Sequence, residues 1–342
     1  MNFLNILSEI EKVDPEVYDR LDSRRRVFKH LSGVGQKLSA AALPLFVGSV
    51  LNKAYGQTPA NLAVTDVLNF ALKLEYLEMY FYRQNTGLQG RMSAINYLAL
   101  FTFADDETKH VAFLRSTIAA LGGTAIADPT AAQFDFSGAR LSSTNTVGPF
   151  GDWRSNPATY LALAQSFEDL GVRAYKGAAP LSAVMANKTV LTAALSIHGV
   201  EARHASHIRS MRRGGLNSSN PSLSAPAAPY STLPKSWISG TDGGGAAPAS
   251  MLSTAPIYGA GNNTGSATYG TGGAVGSGTS TGVLFPAEDS VAQGGMTLSG
   301  SSLPNASSFP AAAFSEAFDE GLDVGTVSAI ARAFTVATST LF

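Results

Sequence analysis

Glu107-Thr108-Lys109-His110 and Glu201-Ala202-Arg203-His204 are the two short runs on which the fold turns. In each, a carboxylate and an imidazole stand three residues apart, which places both on one face of an α-helix. A single run of this kind arises often by chance. Here each is preceded by another glutamate at nearly the same distance: Glu75 lies 32 positions before Glu107, and Glu168 lies 33 before Glu201. Superposing the two halves on these glutamates aligns Leu68 with Leu161, Ala71 with Ala164, Tyr82 with Tyr175 and Arg115 with Arg209. That is a degenerate internal duplication, with the Glu/His set as its most faithful part. A solvated charge pattern would have no reason to keep the register.

The segments around these residues read as helices. Leu62, Val67, Phe70, Ala71, Leu74, Leu77 and Phe81 recur mostly at three- and four-residue steps, predicting a helix over about 61–85 that Asn85-Thr86-Gly87 stops. A second spans about 92–121 and ends on Gly122-Gly123. A third opens at Ser155-Asn156-Pro157, a capping residue followed by proline at the first helical position, and runs to about 177. A fourth covers about 187–213, with Arg209, Arg212 and Arg213 near its carboxyl end. Short connections make antiparallel hairpins of helices one and two and of three and four. The stretch 122–154 is a long crossover. The expected architecture is all-α, a four-helix bundle over 59–213.

Composition narrows the chemistry. With no cysteine in 342 residues, disulfides, thiolate zinc sites and cysteine nucleophiles are excluded. A metal here is held by oxygen and imidazole nitrogen. Four glutamates neutralise two divalent cations, and each histidine completes the shell of one. Such donors suit iron or manganese, with zinc able to intrude. The expected ligands are Glu75, Glu107, His110, Glu168, Glu201 and His204. Glu78, three residues from Glu75, competes with it, but falls opposite Gly171 in the superposition, so Glu75 is preferred. Tyr82 and Tyr175 are candidates for hydrogen bonds to ligands or for redox chemistry, and equally for core filling. His198 and His207 extend the stripe of Glu201 and His204, but their counterparts are Ala104 and Phe113.

The net charge of −1 offers no electrostatic case for nucleic acid or an acidic membrane surface. No run approaches the ~20 apolar residues of a membrane-spanning helix. Within an N-terminal segment, 1–58, Ser23-Arg24-Arg25-Arg26-Val27-Phe28-Lys29 precedes the apolar stretch 40–51 and resembles a twin-arginine export signature. The expectation that follows is a periplasmic or other extracytoplasmic location; without export the location is cytoplasmic. From 214 to 310 only Lys235, Asp242, Glu288 and Asp289 are charged, and Gly, Ser, Thr, Ala and Pro dominate. Tyr230, Trp237, Tyr258, Tyr269 and Phe285 are spaced as anchors for a wrap around the bundle or a contact surface for partner chains. A last helix is expected over about 311–337, with Gly321 and Gly325 as interruptions.

The strings LNFALKLEYLEMYFY, DDETKHVAFLR, FEDLGVRAYKGAAP and VEARHASHIR together resemble the ferritin-like domain of the desiccation-related proteins of bacteria and plants. The resemblance covers about 61–213. It implies a ferritin-like bundle with a di-iron or dimanganese carboxylate centre at the six residues named above. Two uses of that centre are expected to compete. One is oxidoreductase chemistry on Fe(II), peroxide or oxygen, ferroxidase-like or stress-protective. The other is a structural or surface-assembly role, in which metal only stabilises the fold and the extension mediates homo-oligomers or envelope contacts.

Overall fold

Each of the four long predicted helices forms. In the computed structural model α1 spans Val64–Tyr82, α2 Ala94–Ala120 and α3 Pro157–Ala178; a single turn, α4 (Ser182–Met185), precedes α5, Lys188–Arg212. Residues 63–141, 148–212, 238, 255–261, 266–270, 274–278, 285–293, 296–298 and 311–342 are described. The export-like run and the N-terminal segment lie outside them. The starts follow the capping residues. Ser93 accepts from the Asn96 amide at 3.3 Å, Asn156 from Ala158 at 3.0 Å with Pro157 first in the helix, and Asn187 from Val190 at 3.1 Å.

Helices α1 and α2 pair most extensively, as do α3 and α5, and lighter α1–α3 and α2–α5 contacts join the two hairpins. The described residues are mostly helical. Two short antiparallel ladders, β1 (Ser266–Gly270) with β2 (Ala274–Gly278) and β3 (Ala292–Gln293) with β4 (Met296–Thr297), are additions to the all-α expectation. Among the described residues no helix is long and apolar enough to cross a membrane.

The crossover between α2 and α3 closes one side of the core. Its Phe136 and Trp153 pack on Phe81 of α1, with ring centroids 5.2 and 5.6 Å away, and Phe81 stacks on Tyr160 of α3 at 4.4 Å. Such pairs add roughly 0.5–1.5 kcal/mol each beyond burial. Tyr80 of α1 donates to Asp128, and Arg115 joins Tyr76 to the Ile126 carbonyl.

The matching face of α3 is covered by the extension. Gln165, Asp169 and Arg173 stand four residues apart and are all wholly buried. Arg173 is paired with Glu288 (Nε to Oε1, 2.8 Å) and donates to the carbonyls of Ile257, Gly259, Pro286, Glu320 and Gly321. Tyr258, only 1 % exposed, donates to Asp169 at 2.6 Å, and Arg209 of α5 grips the same carboxylate with two nitrogens. Residues 257–259 and 286–288 of the extension are thus clamped to α3, with Tyr258 as one of the expected anchors.

The last helix departs from expectation. In place of one helix over 311–337 there are two, α6 (Ala311–Ser315) and α7 (Val324–Arg332). The chain between them passes against the end of α3, where the Leu322 amide donates to the Arg173 carbonyl at 3.0 Å. A Cβ on Gly177 would stand 2.0 Å from the Leu322 carbonyl oxygen, so glycine permits this approach. Asp323 then caps α7 by accepting from the Thr326 amide at 2.9 Å.

Candidate metal centre

One glutamate from each of α1 and α3, and a Glu/His pair from each of α2 and α5, project into the space between the hairpins. Glu75, Glu107, Glu168 and Glu201 have no exposed surface, and His204 is 5 % exposed. They form two overlapping groups, Glu75, Glu107, His110 and Glu201, and Glu107, Glu168, Glu201 and His204. Each residue in a group offers a ligand atom within 4.8 Å of the others. All six expected ligands are brought together. Glu107 and Glu201 belong to both groups, while Glu75, Glu168, His110 and His204 each belong to one.

Both imidazoles turn Nδ1 inward. That of His110 lies 2.9 Å from Glu107, 3.1 Å from Glu75 and 3.5 Å from Glu201. That of His204 lies 3.0 Å from Glu107 and 3.2 Å from Glu168. Burial opposes charge on these rings, but the hydrogen bonds and charges of the glutamates outweigh it. They push His110 up to about 10 and His204 up to about 11. Burial first, then mutual repulsion, drives Glu201 well above the usual carboxylate range; burial raises Glu107 as well, against its bonds to the two histidines.

Neither oxygen of Glu201 receives a hydrogen bond, although both are shielded from solvent. A buried carboxylate without donors costs several kcal/mol unless a cation or proton meets it. Two divalent ions would balance four carboxylates, and the two groups provide oxygen and imidazole donors for one ion each. The donor set therefore fits a pair of metal ions.

Two tyrosines bind the outer glutamates crosswise. Tyr82 of α1 donates to Glu168 of α3, and Tyr175 of α3 donates to Glu75 of α1. Glu78 is buried but lies in neither group. Burial, followed by the charges of Glu107, Glu168 and Glu75, holds its carboxyl well above the usual range. Its counterpart Gly171 leaves room for the Glu201 carboxylate: a Cβ there would stand 2.9 Å from Glu201 Oε2. His198 is engaged elsewhere, with Nδ1 2.9 Å from the Val172 carbonyl. His207 packs edge-on to Phe103, whose ring also covers His204.

Asp106 escaped the sequence reading. Its Oδ2 lies 3.2 Å from His204 Nε2, so it orients the ring whose Nδ1 faces the glutamates. Its only sequence signal was adjacency to Glu107, which on a helix normally means a different face. The pairing of Asp169 with Arg209 was also missed, though it matches Tyr76 with Arg115 in the superposed halves.

The chain was compared with known proteins. Neither curated proteins nor solved structures gave a match. The family model described as the ferritin-like domain matches residues 63–213, the span from the start of α1 to just past the end of α5. Over those residues, somewhat under half of the chain, the sequence is similar to the ferritin-like domain family.

Proposed function

We propose that α1, α2, α3 and α5 act as a ferritin-like four-helix bundle around two divalent ions, iron or manganese, with zinc as a competitor. In this reading Glu75 and His110 would hold one ion and Glu168 and His204 the other, with Glu107 and Glu201, common to both groups, available to both. The observation that carries it is the Glu201 carboxylate, buried between both groups with no hydrogen bond to either oxygen. Redox-active ions bound there would supply electrons to oxygen or peroxide, which makes a ferroxidase-like or peroxide-consuming, stress-protective oxidoreductase the favoured function.

The protein's own contribution is to position and shield. Tyr82 and Tyr175 hold protons against the outer carboxylates and fix their orientation. Asp106 fixes the ring of His204, and Phe103 covers that ring from water. Elemental analysis of the purified chain tests the reading, followed by anaerobic Fe(II) loading and exposure to oxygen. About two ions per chain and a new absorption on oxidation are expected; absence of bound metal in wild-type protein would overturn it.

A structural role in which metal only stabilises the bundle is favoured by one observation, the clamping of the extension through Arg173. It predicts loaded protein inert toward oxygen and peroxide. Export through Arg25 and Arg26 belongs to the same proposal, since folding before translocation would let the cytoplasm choose the ion. Replacing both by lysine should retain the protein in the cytoplasm; normal export of that variant would remove the idea.

A further inference from the structure

Five of the nine large apolar side chains left exposed among the described residues belong to α2 and its C-cap: Ile95, Leu98, Phe101, Phe113 and Leu121. Leu98 is 63 % exposed and Ile95 53 %. A concentration of this kind on one helix is unlike the scattered apolar residues of an ordinary surface.

The exposed residues are ordered. Ile95, Leu98, Thr102, Asp105, Lys109, Ala112, Ser116 and Ala119 are all exposed and follow one another at alternating steps of three and four. That is the repeat by which one helix packs along another, and from 95 to 119 it runs for about 36 Å. The inward face is a different set, including Leu100, Phe103, Glu107, Leu114 and Ile118.

Reversing the stripe about position 107 pairs it with itself. Ile95 meets Ala119, Leu98 meets Ser116, Thr102 meets Ala112, and Asp105 meets Lys109; beside the stripe, Phe101 meets Phe113. Within the stripe each large side chain falls opposite a small one and the acid falls opposite the base, while beside it the two phenylalanines face each other. The Ser116 hydroxyl is satisfied within its own helix, donating to the Ala112 carbonyl at 2.9 Å, and makes no polar demand on a facing surface. Asp105 and Lys109 are joined along the helix in one chain and are about two-thirds exposed, free to be shared across an axis.

We infer that the outer face of α2 is a twofold homodimer interface, in which two copies pack α2 antiparallel with Asp105 of each chain against the partner's Lys109. A twofold axis requires a self-complementary patch, and the stripe has that property in both size and charge. The inference does not depend on metal binding.

Light scattering of the full chain during gel filtration should give twice the 35.5 kDa of one chain; a monomer overturns the proposal. Leu98→Glu should weaken the dimer at least about tenfold with helicity and metal content unchanged, since a charge would face the buried stripe. An unchanged dimer places the interface elsewhere and also overturns it. Asp105→Lys should weaken association, and adding Lys109→Asp should restore it; failure of the double variant to recover counts against the charge pairing. Register is read in a background free of native cysteine. Leu98→Cys combined with Ser116→Cys should be joined by a short thiol-reactive cross-linker. Cross-linking of Leu98→Cys alone to the same extent would mean another arrangement.

Discussion

Tyr82 of α1 donates its hydroxyl hydrogen to Glu168 of α3, and across the pseudo-symmetric centre Tyr175 returns the same bond to Glu75. Each hairpin thus holds the outer carboxylate of the other. Burial and the adjacent glutamates keep both phenols protonated by raising them well above their ordinary value. Replacing either by phenylalanine removes a charge-assisted bond while preserving ring volume. Metal affinity, measured by competition with a chelator, should fall about 10–100-fold in each single variant. An unaltered affinity in both would reduce these tyrosines to core packing.

The overlap of the two groups makes a sharper stoichiometric prediction. Glu107 and Glu201 are common to both, whereas Glu75 and Glu168 each belong to one. Glu201→Gln should therefore depress occupancy of both positions, and Glu75→Gln or Glu168→Gln chiefly of one. Elemental analysis after equilibration at limiting metal distinguishes these outcomes. Glu201→Gln should also raise the melting temperature of metal-free protein, most of all at alkaline pH, where the wild-type carboxyl must ionise without a hydrogen-bond donor.

The histidines set the pH dependence of the metal-free fold. His110 and His204 are raised from 6.5 to about 10 and about 11. A folded value above the unfolded one means that the native state binds the proton more tightly. Its stabilisation is complete below 6.5 and is lost as pH rises through about 10 to 11. Glu107 and Glu201, also raised, act in the same direction. Metal-free protein should lose melting temperature as pH climbs through that window, by about 2–4 °C per kcal/mol lost. Protein saturated with Mn(II), whose ligands are already deprotonated, should show a much flatter profile. Parallel profiles for the two forms would mean that metal does not engage these imidazoles.

Spacing made the centre legible because its ligands repeat along helices: Glu107 with His110, Glu201 with His204, and one glutamate 32 or 33 residues upstream of each pair. Helical geometry turns such spacing into a shared face. Asp106 was hidden because its partner His204 lies on another helix, and nothing in local sequence encodes that meeting. The stripe Gln165, Asp169, Arg173 was hidden for a different reason. Four-residue polar spacing on an amphipathic helix ordinarily marks the solvated side. Here it marks the side on which the extension lies, matching in the duplication the side of Leu72, Tyr76 and Tyr80, of which Tyr80 meets the crossover at Asp128 and Phe134. The break in the last predicted helix has a similar origin, since the approach of Leu322 to Gly177 is a tertiary event.

Arg173 is where that tertiary event is most exposed to test. It is wholly buried, its Nε is shared between Glu288 and the Glu320 carbonyl, and its two terminal nitrogens go to four more carbonyls of the extension and the segment before α7. Arg173→Ala strands Glu288, which is 1 % exposed, and leaves those carbonyls without their donor. Removing one partner of a buried ion pair costs roughly 3–5 kcal/mol. Arg173→Met retains the apolar stem but not the charge, and should be nearly as damaging if the charge matters more than the packing. Glu288→Gln keeps an oxygen for the guanidinium and the Glu320 amide, and should cost less. Limited proteolysis reads the outcome directly: cleavage between 255 and 293 should accelerate in Arg173→Ala well before α1–α3 become susceptible. Equal resistance of Arg173→Ala and wild type would show that the extension is held by its apolar contacts, Ile257 and Tyr258 foremost, rather than by the buried charge.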